Sequence, residues 1–246
     1  MTRHLAVFDI DGTLLPHPSS ERRFIRHLLA QRHLGYRQLV SWLAFVPRWR
    51  RRFGPAVWVK NKAYLNGLRL DEVSHWAAQF VTRELAPLWR SEVLDRLQEH
   101  QSRGDRIMLL SGTSQFLADA IAHVLRADEA VGTLCDLDGG RLTDKPPLRH
   151  PFGNGKLTLV AAARGRLGIE WAEVTAYGDS RHDLPLLEAV GRPVAVAPDH
   201  VLRHAAQVRG WEILAAKNGR NTARAGGGPR DRVERPGPVK RAARGR

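Results

Sequence analysis

The chain has 246 residues, 43% of them hydrophobic, a single cysteine (Cys135) and a formal net charge of +14. This length and apolar share suit one large domain or a domain carrying an insert; one thiol excludes an internal disulfide and a cysteine-only zinc site, and no run of about 18 apolar residues exists to span a membrane. The charge is uneven: residues 217–246 hold ten Lys/Arg against only Asp231 and Glu234, so this tail carries +8 and the rest of the chain +6.

The opening MTRHLAVFDID passes from a short apolar stretch straight into acids. It lacks the long apolar region and small-residue cleavage site of a signal peptide, so a cytoplasmic protein is expected. Residues 4–8 read as a buried strand. Residues 20–100 are mostly helical in pattern, punctuated at Gly35, Pro47, Gly54-Pro55 and Gly67. Asp71 is the expected N-cap of a helix with Val73, Ala77, Phe80 and Val81 at helical spacing. Pro87 and Ser91 mark the next helix start, and Gly104 its end.

RIMLLSGTS (106–114) reads as a second strand ending in small polar residues, and QFLADAIAHVL (115–125) as an amphipathic helix. AVGTLCDLDGGRLT (130–143) fits a strand and a hairpin turning at Gly139-Gly140. Then come a helix ending at Gly168, a strand over 173–180, a short helix DLPLLEAVG, a strand PVAVAP (193–198), and a last helix capped by Asp199. Strands alternating with helices from 105 onward predict a mainly parallel sheet covered on both faces. Ligands in such sheets sit beyond the carboxyl ends of the strands. Asp9, Ser111 and Asp179 all fall at such ends. The helical block at 16–90 is too long for a loop and reads as an inserted cap. The core is then 1–15 with 91–216. The tail, 217–246, has "GGGP", "RPGP" and few large apolar residues, so it is expected to be disordered. It offers a site for weak contact with nucleic acid or anionic lipid, beside the plainer expectation of a solvated tail.

Asp9 and Asp11 are two apart, so on a continuing strand they face the same side, and Gly12 permits a turn. Neighbouring carboxylates repel unless a cation lies between them. Asp179 and Asp183 add further acid. Carboxylates without cysteine or paired histidine make a hard oxygen site that favours Mg2+. Ser111, the Gly112 and Thr113 amides at a helix start, and a lysine suit the oxygens of a phosphoryl group.

FDIDGTLL, LLSGTS, GNGK and YGDSRHDLPLL together resemble the four ordered motifs of the haloacid dehalogenase (HAD) superfamily of hydrolases, over residues 4–214. The helical insert and the closing EIL look most like the phosphoserine-phosphatase-type branch, subfamily IB; histidinol-phosphate, phosphatidylglycerophosphate and lysophospholipid-phosphate phosphatases have similar layouts. The resemblance implies a Rossmann-like α/β core with a helical cap after the first strand, and a Mg2+-dependent phosphatase acting on a small phosphorylated metabolite through an aspartyl-phosphate. Carried over residue by residue, it makes Asp9 the nucleophile and Asp11 the proton carrier. Ser111, Gly112 and Lys156 bind the phosphoryl group. The metal is held by Asp9, the Asp11 main-chain carbonyl and Asp179, with Asp183 in support and Thr13 setting the loop.

Several competing assignments fail on the residues. A calcium loop starting at Asp9 needs Glu at its twelfth place, where Ser20 stands. His200 and His204 lack the adjacent Glu of a zinc-protease helix. His182 reads as an exposed loop residue, and Lys145, before two prolines, competes poorly with Lys156. Cys135 reads as a small buried hydrophobe. The phosphoserine-phosphatase branch usually carries an acid soon after the first motif to meet the substrate amine. Here Glu21 is the first candidate, and it stands late, which weakens phosphoserine and leaves phospholipid head groups open. LVSWLAFVPRWRRRFGPAVWVK sets Trp42, Trp49 and Trp58 among Arg48, Arg50, Arg51, Arg52 and Lys60, a pattern that suits either cap packing or an anionic membrane surface.

Overall fold

A computed structural model describes residues 4–215, so the expected disordered tail (217–246) lies outside the described residues. Leu5–Phe8 form β1, buried along its whole length. Ala6 and Phe8 enter one apolar cluster and Leu5 and Val7 the other. A strand covered on both faces needs this unbroken apolar run. The elements that follow are α1 (Ser20–Ala30), α2 (Tyr36–Phe53), the short α3 (Val57–Lys60), α4 (Leu70–Phe80) and α5 (Ser91–Ser102). Next are β2 (Arg106–Ser114), α6 (Gln115–Leu125), β3 (Glu129–Thr133), and a hairpin of β4 (Leu137–Asp138) and β5 (Arg141–Leu142). The chain closes with α7 (Asn154–Leu167), β6 (Val174–Gly178), α8 (Leu184–Leu187), β7 (Arg192–Val196), α9 (His200–Arg209) and β8 (Glu212–Leu214).

Six strands form one parallel sheet in the order β3-β2-β1-β6-β7-β8. Phe8 aligns with Leu109 of β2 and with Tyr177 of β6. Asp9 and Asp179 therefore stand just beyond the ends of β1 and β6, and Ser111 lies beside them in β2, two residues past Leu109. One face carries α5 and α6 through Val93, Leu97, Leu117 and Ile121. The other carries α7, α8 and α9 through Val160, Leu187, Leu202 and Ala206. The helices after β1 join the first cluster: Phe24 of α1 meets Phe80 of α4 at 5.3 Å and Phe116 of α6 at 5.8 Å. A small separate cluster of Phe45, Val57 and Ala63 lies within the α2–α3 region.

Helix ends follow local chemistry. Asp199 accepts from the Leu202 amide at 2.8 Å and caps α9, as expected. Gly168 closes α7 in the left-handed conformation (φ 65°),. Asp71 does not cap α4. Arg69 occupies the cap, and Asp71 is the second residue of the helix, paired with Arg69 at 2.8 Å and bonded to the Glu72 amide. An acid in the first turn still complements the helix dipole. β8, an edge strand of three residues, emerges from the closing segment.

Candidate active site

The Asp9 amide donates to Tyr177 O at 3.0 Å, so the last β1–β6 bond fixes this residue just past the strand. Its carboxylate is buried and accepts from Lys156 Nζ at 2.6 Å. The same ammonium lies 2.5 Å from Asp183 Oδ1. Lys156 reaches both from the first turn of α7. The second Asp183 oxygen accepts from the Asp179 amide (3.2 Å) and from the amide and hydroxyl of Ser180 (both 3.1 Å). Gly178 leaves room for this loop: a Cβ there would stand 2.6 Å from Asp183 Cβ. Gly12 (φ 103°) does the same for Asp179, whose carboxylate fills the space a Cβ would take. Carboxylate oxygens of Asp9, Asp179 and Asp183 all lie within 4.8 Å of one another.

Among the described residues one ammonium, Lys156, is bonded within this group of three buried carboxylates; the His17 imidazole lies 3.6 Å from Asp179, and the Arg90 charge also acts on Asp179. Burial pushes the Asp9 carboxyl well above its ordinary range; Lys156 works against this, and Asp183 and Asp179 add to it. Burial and the neighbouring Asp183 charge raise Asp179 to about 7. Burial alone would lower the Lys156 ammonium, but Asp183 and Asp9 outweigh it and hold Lys156 charged. The group is left with excess negative charge, which is the condition under which a hard divalent cation binds. The donor chemistry therefore fits a metal ion held by oxygen.

Asp11 does not continue the strand geometry. β1 ends at Phe8, and the bonds Gly12 N to Leu15 O (2.7 Å) and Leu15 N to Ile10 O (2.8 Å) fold the next residues into a tight loop. The Asp11 carboxylate is not one of the three clustered acids. It accepts from the Ser20 amide at 2.6 Å, and Ser111 Oγ is 3.5 Å away. Burial raises its pKa, partly offset by the Ser20 bond. Thr13 is fully buried in this loop, with no hydrogen-bond partner for its hydroxyl. Ser111 is buried and accepts from the Thr113 amide at 3.2 Å. The Gly112 and Thr113 amides are not at a helix start: β2 runs on to Ser114, which pairs with Thr133 across a register shift, and α6 begins at Gln115.

Glu21 explains that extension, and its part was not foreseen from the sequence. It accepts from the Ser114 amide (2.8 Å), Ser114 Oγ (2.9 Å), Thr113 Oγ1 (3.0 Å) and the Tyr64 hydroxyl. It also pairs with buried Lys62 at 2.9 Å. Burial would raise this carboxyl, but Lys62 and the hydrogen bonds bring it below its ordinary value. Lys62 donates onward to Gly112 O at 3.3 Å. The one available signal was a lysine set against the apolar Ala63-Tyr64-Leu65, far from any acid in sequence.

His150 is the second unforeseen neighbour. Thr133 Oγ1 gives its proton to Gly112 O (2.6 Å), so it receives one from His150 Nδ1 at 2.7 Å,. Nε2 is left buried and unpartnered beside Gly112. Burial first, then Lys62 and Lys60, drive this imidazole down to about 3.

The remaining candidates fall outside the cluster. Lys145 pairs with Asp136 at 3.3 Å near the hairpin. His200 and His204 are exposed, and His182 packs against Phe152 with ring centroids 4.2 Å apart. Cys135 is half-buried, its thiol pushed by burial to about 12. A separate depression of about 350 Å3, bordered by Arg23, Arg26, His27, Phe80 and Glu84, shares no residue with the acidic group.

The haloacid dehalogenase-like hydrolase family model matches residues 6–188, a span that includes both strand ends bearing Asp9 and Asp179. The chain belongs to this family. It is 30% identical over 227 residues to the phosphoserine phosphatase SerB1 of Mycobacterium tuberculosis, covering 90% of this chain and 73% of that one. It is 26% identical over 230 residues to a histidinol-phosphatase of Neisseria meningitidis, covering 87% and 100%. Among solved structures, a protein of unknown function from Bordetella pertussis Tohama I superposes with a TM-score of 0.73 at 27% identity, over 87% of this chain and 99% of that one. A phospho-aspartyl intermediate analogue of phosphoserine phosphatase superposes at 0.58 and 17% identity, over 89% and 95%. That likeness concerns the fold: a parallel α/β sheet flanked by helices.

Proposed function

We propose that this HAD-family hydrolase is a phosphomonoesterase that passes a phosphoryl group through Asp9. The observation that carries this reading is the buried trio Asp9, Asp179 and Asp183, with Lys156 bonded to Asp9 and Asp183. An Asp9 oxygen attacks phosphorus, the bond to the ester oxygen breaks, and Asp11 gives its proton to the departing alcohol. Burial suits Asp11 to this by keeping its carboxyl protonated nearer neutrality,. Asp11 then takes a proton from the water that opens the aspartyl-phosphate, and inorganic phosphate leaves. Lys156, Ser111 and the Gly112 amide hold the phosphoryl oxygens. Asp9, Asp179 and the Asp11 carbonyl would hold Mg2+, with Asp183 behind them; bound there, the ion would neutralise phosphoryl charge. The helices between 16 and 90 serve as the cap over this edge of the sheet.

The substrate proposed is a small phosphorylated metabolite. Glu21 is saturated by Lys62, Thr113, Ser114 and Tyr64, so it is a poor receiver for a substrate ammonium. Phosphate release should be measured with Mg2+ and with chelator on phosphoserine, histidinol phosphate, phosphatidylglycerophosphate and lysophosphatidate. Release from at least one, lost with chelator, is expected. Silence across the panel from folded protein rejects this substrate range, and chelator-resistant release rejects the metal.

A further inference from the structure

Between Glu21 and Asp71 the chain has twelve Lys/Arg and no acid. This acid-free stretch includes α2, a helix with a large face that no described residue covers. Tyr36, Leu39, Val40 and Leu43 are spaced three and four apart and so share one side of the helix. They are 82%, 53%, 41% and 56% exposed. The same side continues through Pro47 to Arg50 and Arg51, all exposed. The result is one stripe, about 22 Å from end to end, apolar in its first half and cationic in its second. Neither Arg50 nor Arg51 has an acidic partner among the described residues, whereas neighbouring Arg48 reaches Asp144 at 3.5 Å. Beside α2, Trp58 of α3 is 59% exposed and lies 6.3 Å from the Trp42 ring. The opposite side of α2 is satisfied: Phe45 is buried, with Val46, Trp49 and Phe53 packed around it.

A helix already anchored on its inner side gains nothing for folding from a second apolar face, and a patch of this kind marks a contact site. Its composition selects the occupant. Apolar side chains next to arginines without an acidic partner among the described residues, and an exposed tryptophan alongside, match the boundary between acyl chains and anionic head groups. We propose that the α2 stripe docks the protein on an anionic lipid surface, with Leu39 and Leu43 entering the apolar boundary and Arg50 and Arg51 meeting lipid phosphates. No helix among the described residues is long and apolar enough to cross a membrane, so the contact is peripheral. It does not depend on which phosphomonoester the acidic site cleaves.

The test is flotation of the full chain with vesicles of phosphatidylcholine alone and of phosphatidylcholine mixed with phosphatidylglycerol. Binding to the mixed vesicles should exceed that to the neutral ones at least about tenfold. The double variants Leu39→Glu/Leu43→Glu and Arg50→Gln/Arg51→Gln should each weaken it about tenfold, with phosphate release from a soluble substrate unchanged. If the leucine pair fails to fold, the arginine pair decides alone. Three results overturn the proposal: no preference for anionic vesicles; binding undiminished by the variants, which moves the contact elsewhere, the basic residues 217–246 included; or self-association that Leu39→Glu/Leu43→Glu abolishes, without vesicle binding, which assigns the face to a second copy.

Discussion

Two buried charge groups lie near the same edge of the sheet, and they are built on opposite plans. Around Asp9 there are three carboxylates to one ammonium, and two of the acids are pushed upward in pKa. Around Glu21 there is one carboxylate to one ammonium, with both oxygens held by hydroxyls and an amide and the pKa pushed downward. Burial is common to both, so burial does not distinguish a reactive site from a structural one. The ratio of charge to compensation does. The first group is left short of positive charge, while the second has nothing left to offer a ligand and ties α1 and the residues before Leu65 to the end of β2.

That contrast can be broken at either end. Asp9→Asn should reduce Mg2+-dependent phosphate release by at least about a thousandfold while the protein stays folded; near-normal turnover in a clean preparation would remove Asp9 as the attacking group. Glu21→Gln strands a buried lysine and should cost about 3–5 kcal/mol in urea unfolding, yet alter turnover of the remaining folded protein only slightly. A collapse of activity at unchanged stability would move Glu21 into the chemistry.

Gly12→Ala adds a Cβ where the Asp179 carboxylate sits, on a backbone with positive φ. It should cost about 2–4 kcal/mol and weaken Mg2+ binding measured by calorimetry; an unaltered affinity would mean that Asp179 is not a ligand. The smallest effect at neutral pH concerns His150, whose part shows only in acid. Its folded pKa, about 3, lies below the ordinary value of 6.5, so between these values the unfolded chain binds the extra proton. Its contribution is complete above pH 6.5 and lost as pH falls toward 3, on the order of 5 kcal/mol. His150→Gln should flatten that part of the stability-pH curve, and an unchanged curve would assign the acid sensitivity to other groups.

The sheet and the acidic group were largely readable from the sequence because their signals are local. Apolar runs that stop at Asp9 and Asp179 announce strand ends, and parallel pairing brings those ends together with Ser111, where the apolar run of β2 gives way to small polar residues. Lys156 stood out by its place at a helix start. The second group was not readable, because Glu21 and Lys62 are separated by two helices and neither periodicity nor turn chemistry links them. The strand over 106–114 and the helix over 115–125 stand where the sequence pattern puts them; the same gap hides only that Glu21, in another element, holds the Ser114 end of that strand, so that the Gly112 and Thr113 amides lie in β2 and not at a helix start. Asp71 was misassigned because Asp favours both the cap and the first turn, and the adjacent Arg69 decides between them. Asp9 and Asp11 diverge because the strand stops one residue before the first of them, which the spacing of two does not reveal.

The central place of β1 has a consequence for how the molecule opens. Its four residues are buried and bonded to a neighbour on each side. Amides in such a strand exchange with solvent through global unfolding, whereas peripheral helices exchange through smaller openings. In a deuterium-exchange time course β1 should be among the last segments to label, and α2, with its uncovered face, among the first. Asp9 is therefore attached to the part of the protein that stays closed longest, and the helices that follow it can loosen and re-form while the carboxylate proposed to attack phosphorus keeps its place.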